Sequence, residues 1–144
     1  MEIIERKRKI GAFALERVEK IKNEKFAAEY KSYVKALPSM IINNGLGNAL
    51  AFEFSKALDR NNENNKPKLT AHGYLLRHIR EFAEKFLNFN KPSKNELEVD
   101  KRFIEEIMNK DIHTYMFWTE QILQFLDWLR KFAEGMIEKS ESGD

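Results

Sequence analysis

The chain has 144 residues, enough for one compact domain of the usual roughly 100 to 200 residues and too few for two. Hydrophobic residues make up 42% and charged residues 33%, which supports a core under a solvated surface and excludes a chain disordered throughout. Cysteine is absent, which excludes disulfides, thiolate metal sites and cysteine nucleophiles, and a net charge of +2 is too small to name a partner by itself.

Apolar residues spaced by three and four recur along nearly the whole chain, interrupted by only six glycines and three prolines. The pattern predicts an all-α fold with no convincing strand. A first helix is expected over about Glu2 to Asn23, burying Ile3, Ile10, Ala14, Val18 and Ile21. A second is expected over about Lys25 to Ala36, and Pro38 suits the first turn of a separate short helix, where its missing N–H is tolerated. Asn43, Asn44 and Gly45 accept left-handed backbone and mark the end of that short helix. A further helix follows to about Asp59, with Leu46, Leu50 and Phe52 turned inward. The span 60–67, rich in Asn and ending in Pro67, reads as an exposed and mobile loop.

Thr70 is expected to cap a helix over about Ala71 to Phe89, with Leu75, Ile79, Phe82, Ala83 and Phe86 along one face. After a loop at 91–94 comes a short helix over about Asp100 to Asn109. Asp111 then caps the longest helix, to about Glu138, and residues 139–144 are expected to fray. In that last helix Tyr115, Ile122, Leu129 and Met136 repeat every seven residues beside Trp118, Phe125 and Phe132, while Thr119, Leu126 and Ala133 widen the stripe. A stripe so broad belongs to a helix surrounded by others. The expected architecture is a single-domain all-α bundle of six or seven helices over residues 1–138, with a long central C-terminal helix.

Phe117 and Trp128 lie eleven residues apart, within about 20° of each other on a helix and away from that stripe. They read either as covered by a neighbouring helix or as a contact patch for a protein partner, with stacking on a nucleobase as a further option. His72 and His78 are six residues apart and lack the spacing of a metal-binding pair, and these two and His113 read as surface or boundary residues. Glu105 and Glu106 point about 100° apart on a helix, and with Asp59 they read as solvated charges. Gly45 and Gly47 stand without the further residues of a phosphate loop. The expectation is a protein with no catalytic residues, no cofactor and no metal.

Charge is unevenly distributed: residues 1–35 carry ten Lys and Arg against six Asp and Glu, whereas residues 99–144 carry six against ten. On the first helix Arg6, Lys9, Phe13, Arg17 and Lys20 fall in one strip beside the buried side. Such a row can neutralise a phosphate backbone without reading bases, or it can pair with Glu2, Glu16 and Glu24 on a solvated helix. Arg77 and Arg80, three residues apart, form a second candidate pair for RNA contact. Arg130 at the edge of the apolar stripe and Lys131 on the outer face complete the set.

The segment Leu37-Pro38-Ser39-Met40-Ile41-Ile42-Asn43-Asn44-Gly45-Leu46-Gly47-Asn48-Ala49-Leu50-Ala51-Phe52 resembles the signature of the small helical subunit of the type III-B CRISPR effector, the Cmr complex. The segment from Thr119 to Gly135, with Trp128, Leu129, Arg130 and Lys131 near its end, is similar to the same family. The resemblance implies a non-catalytic, cytoplasmic subunit of an RNA-guided antiviral ribonucleoprotein. Its implied protein partners are other Cmr subunits and further copies of itself, stacked as a filament beside the guide-RNA backbone. Its implied nucleic-acid partners are guide RNA and target RNA, which pair in a basic channel that the filament helps to form. Physically, the first segment reads as a tight helix-to-helix turn in which Asn44 can present its amide to a neighbouring subunit or to RNA. Two other readings stay open: a free-standing self-associating or regulatory helical protein, whose dimer would be lost on Trp128→Ala, and a small enzyme built from scattered acids and histidines. No stretch approaches the roughly 20 apolar residues of a membrane-spanning helix.

Overall fold

The broad apolar stripe near the C-terminus forms helix α6 (Ile112–Met136), which buries Trp118, Ile122, Phe125, Leu126, Leu129 and Ala133. Around it pack α1 (Glu2–Ile21), α2 (Ala27–Asn44) and α4 (Ala71–Phe86), while α3 (Leu46–Ser55) packs on α2 and α4, and α5 (Glu96–Met108) on α3 and α4. The computed structural model describes residues 1–61 and 66–138. The expected frayed tail at 139–144 and the middle of the expected mobile loop at 60–67 lie outside the described residues. Among the described residues there are six helices, and the all-α expectation holds at the level of the fold.

Two contacts fix how α1 lies on α6. The Arg6 guanidinium reaches Gln121 Oε1 at 2.8 Å, and a Cβ built on Gly11 would meet the Trp128 ring at 3.2 Å. Both positions advance together, so the two helices run parallel. Helix α2 runs the other way: Lys31 Nζ donates to the Ile137 carbonyl at 3.0 Å, and Lys35 lies 3.8 Å from Glu134. Phe13, Phe82 and Phe125 join α1, α4 and α6, with the last two rings stacked at 4.6 Å between centroids.

The caps at Thr70 and Asp111 are as expected from sequence. Thr70 accepts from the Gly73 N–H, and Asp111 from the Thr114 N–H at 3.0 Å, each contact worth about 1 kcal/mol to its helix. Asn95 caps α5 in the same way, accepting from the Glu98 N–H, and α5 therefore starts four residues before the expected position.

Four expectations are corrected. Pro38 does not begin a separate helix; α2 continues through it, because Ala27, Tyr30, Val34, Leu37 and Ile41 form one buried stripe spaced by three and four on both sides of the proline. Burying that stripe outweighs the one lost N–H bond to the Val34 carbonyl. Gly45 does have positive φ (88°), but its ψ of 155° takes it to extended rather than left-handed helical backbone, a region essentially reserved for glycine. It ends α2 and starts α3 in a single residue.

The third correction concerns α3, which stops at Ser55 rather than near Asp59. The chain then makes a two-residue antiparallel bridge, β1 (Leu58–Asp59) with β2 (Lys68–Leu69), paired Leu58 to Leu69 and Asp59 to Lys68. Two residues are too few to display strand alternation in a sequence. The fourth concerns burial: Ile3 is 71% exposed and Phe52 is 39% exposed. Burial on α1 begins only around Arg6 and Ile10, so its first turn projects past the packed body.

Candidate nucleic-acid interface

Phe13 is the pivot of the site. The sequence places it among cations, and the core takes it in, because its ring faces Phe82, Phe86 and Phe125. Its flanking cations therefore line a groove where α1 meets α4. At the N-terminal half of α1 the groove opens into a cleft of about 480 Å3 lined by Glu2, Glu5, Arg6, Lys9, Lys85 and Phe86. Toward the end of α1 a second cleft of about 240 Å3 is lined by residues that include Arg17, Lys20, Tyr74, Arg77, His78 and Glu81.

In the first cleft Arg6 and Lys85 are positioned, and among the described residues none of the three cations is neutralised by an ion pair. Arg6 donates to Gln121 Oε1 and to the Phe86 carbonyl at 3.2 Å, bonds to neutral acceptors that fix the guanidinium and leave its charge intact. Lys85 Nζ lies 5.5 Å from the Phe13 ring centroid and 5.7 Å from that of Phe86, a cation–π placement over both. Among the described residues no ion pair forms at Arg6, Lys9 or Lys85.

The second cleft is partly neutralised. Arg17 lies between Glu16 Oε1 at 2.7 Å and Glu81 Oε1 at 3.0 Å, and its guanidinium covers the Phe13 ring at 4.0 Å. Lys20 is 3.5 Å from Glu16. Arg77, which also lines the cleft, pairs with Asp100 at 2.9 Å. Beneath them Tyr30 Oη sits 2.7 Å from His78 Nδ1. Burial, with Arg17, Lys20 and Arg77 adding repulsion, pushes the His78 imidazole down to about 3, and burial raises the Tyr30 phenol. The pair is neutral, so the positive charge of the cleft comes from its arginines and lysine.

The structure thus brings Arg6, Lys9, Arg17, Lys20 and Arg77 to one groove. Arg80 is not with them. It is 1% exposed and lies with Asp100 at 3.1 Å, Glu84 at 3.4 Å and Glu96, holding α5 against α4. As an RNA contact Arg80 is corrected: a guanidinium with no surface reaches no backbone. Arg130 and Lys131 lie on α6, both paired with Asp127 at 3.0 Å, with Arg130 also 3.7 Å from Glu134. Lys85 was missed because its place beside α1 depends on a contact between residues more than seventy positions apart. Glu53 was missed as well: it is 2% exposed, bonded at 2.9 Å to His72 Nδ1, whose ring stacks on Tyr33. His78, read as a boundary residue, is buried.

The protein-contact candidates separate. Trp128 is half-buried on Gly11 of α1 and stacked with Phe132, so the neighbouring helix covers it and its reading as an open patch is corrected. Phe117 is 49% exposed, near Ile112 and Met116 on the first turns of α6 and Met108 at the end of α5, each more than 60% exposed. Asn44 is exposed at the end of α2, next to Gly45, which approaches Tyr115. Because α1 runs parallel to α6, exposed Met1, Ile3 and Ile4 lie at the same end of the bundle. Among the described residues no group of three or more His, Asp or Glu converges as a metal site, and no helix is long and apolar enough to cross a membrane.

The family model described as CRISPR-associated protein (Cas_Cmr5) matches residues 6–136. Among solved structures the chain is similar to the X-ray crystal structure of a CRISPR-associated Cmr5 family protein from Thermus thermophilus, with a TM-score of 0.69. That match covers 92% of this chain and 98% of the other at 21% identity, a likeness of fold.

Proposed function

The chain belongs to the CRISPR-associated Cmr5 family, the small subunit of type III-B Cmr complexes, and from that premise we propose that it lines the RNA channel with its α1–α4 groove. In this reading it is a non-catalytic cytoplasmic subunit whose copies stack beside the guide-RNA backbone while target RNA runs along the groove. The observation that carries the reading is the set of cations without ion pairs, Arg6, Lys9 and Lys85, gathered from two helices around one cleft. On α5, by contrast, Lys101 and Arg102 pair with Glu105 and Glu98 along the helix's own surface. Unpaired cations in a row are what a phosphate backbone uses, since each contact releases a counterion. Arg17, Lys20 and Arg77, each held by a carboxylate, continue the groove beyond these three, and Arg130 and Lys131 lie outside it.

The test is target-RNA affinity of the reconstituted effector carrying Lys9→Glu with Lys85→Glu. The reading expects about 10-fold or greater weakening at low salt, shrinking as salt rises, whereas Arg130→Glu with Lys131→Glu has little effect. Equal losses from both pairs of variants would remove the groove from its place in the channel.

A second reading, a free-standing self-associating protein, is favoured by the exposed apolar end built from Met108, Ile112, Met116 and Phe117. Within the effector the same end, with Asn44, serves the contact between stacked copies. A stable dimer of the isolated chain in dilute solution, lost on Phe117→Ala and kept on Trp128→Phe, supports the free-standing reading.

A further inference from the structure

The two clefts of the groove differ in one respect. Around the first, Arg6, Lys9 and Lys85 have no carboxylate within ion-pair distance among the described residues, although Glu2 and Glu5 stand at its mouth. In the second, Arg17 is held from two sides, by Glu16 on its own helix and by Glu81 from α4. Its side chain is only 12% exposed and lies over Phe13, so it does not swing freely to solvent. The Glu81 contact is close but misdirected: Arg17 Nε comes within 3.0 Å of the carboxylate yet makes no aligned hydrogen bond. Glu16 also holds Lys20, and Arg17 keeps the Glu16 carboxyl below its ordinary value.

A carboxylate that neutralises a groove cation without a good hydrogen bond occupies the place of a phosphate and is replaceable by one. We infer that Glu81, supported by Glu16, is a built-in competitor for the RNA backbone that holds Arg17 until a strand reaching the second cleft displaces it. The inference rests on the RNA reading above and adds a dependence on strand length to it. Arg6 and Arg17 are eleven residues apart, about 16 Å along α1, so a strand covering only the first cleft does not reach Glu81. Short strands are held by Arg6, Lys9 and Lys85 alone. Longer ones also gain Arg17 and Lys20, less what breaking the Glu81 and Glu16 contacts costs.

The experiment is binding of labelled single-stranded RNA to the full chain by fluorescence anisotropy at low salt. It uses two lengths, one covering a single cleft and one spanning both. Glu81→Gln is expected to tighten the longer strand about 2- to 5-fold, the range of a partly exposed ion pair, and to leave the shorter unchanged. Glu16→Gln acts in the same direction and keeps the test valid should the Glu81 variant unfold. Glu105→Gln removes the same charge on α5, where the carboxylate is paired with Lys101, and changes neither strand. Equal tightening of both lengths, equal tightening by Glu105→Gln, or no change with Glu81→Gln and Glu16→Gln would overturn the competitor role. Lys9→Glu and Lys85→Glu separate the two ideas. If they weaken both strands while the Gln variants do nothing, the RNA reading stands and only the competitor falls. If they change nothing, the reading and the inference fall together.

Discussion

At His78, burial decides the chemistry. In sequence it follows Arg77 and looks like a polar surface residue, but it is 5% exposed and paired with the Tyr30 hydroxyl. With its imidazole lowered to about 3 in the folded chain and near 6.5 when unfolded, only the unfolded state binds the proton between those values. The stabilising contribution is therefore complete above about pH 6.5 and is lost progressively as pH falls toward 3, by about 1.4 kcal/mol per unit across that window. Glu53 and Asp100 act in the opposite sense, since burial raises both carboxyls and their contribution declines as pH rises through the raised values. The comparison with His78→Gln isolates the histidine. Denaturant unfolding at pH 7 and pH 5 should show the native chain losing stability on acidification and the variant losing clearly less, and parallel losses would remove His78 as the cause.

The same scale shows why some site residues were legible and others not. Arg6, Lys9, Arg17 and Lys20 share a helix, so a helical projection finds their strip. Arg80 is indistinguishable from Arg77 in that projection; what buries it is Asp100, twenty residues on and invisible to local spacing. Trp128 shows the same limit from the other side. A wheel of α6 places it outward, and only the missing side chain at Gly11 lets α1 come close enough to cover it.

At the scale of elements, the helices were legible wherever a buried stripe and a capping residue agreed, as at Thr70 with α4 and Asp111 with α6. Pro38 is where two rules conflicted. The local rule favours a break, whereas the stripe from Ala27 to Ile41 keeps its spacing across the proline and predicts the continuous helix that forms. If burial of that stripe carries α2 through an unfavourable residue, removing the residue should help. Pro38→Ala is expected to raise stability by about 1–2 kcal/mol, less than the roughly 3 kcal/mol helix penalty because the freer unfolded chain offsets part of it. A higher melting temperature confirms the account, and a lower one would show that the missing N–H or the ring serves a contact of its own. Gly45 was legible as a glycine requirement, and its extended ψ was not, because that angle is set by how closely α3 must follow α2.

Across the whole molecule, the basic residues 1–35 supply Arg6, Lys9, Arg17 and Lys20 to one surface, and the end where α6 begins is of another kind. Cations collect along the α1–α4 groove on one side, while apolar Met108, Ile112, Met116 and Phe117 stand at the end where α6 begins. In the proposed reading the groove takes the RNA backbone and the apolar end takes a neighbouring copy. The most direct measurement is photo-cross-linking of target RNA in the assembled effector, with the cross-linked peptides of this subunit mapped by mass spectrometry. The account predicts cross-links in α1 from Arg6 to Lys20 and in α4 near Lys85, and none at Arg130 or Lys131. Cross-links concentrated on α6 or at the Met108–Phe117 end, with α1 unlabelled, would contradict it.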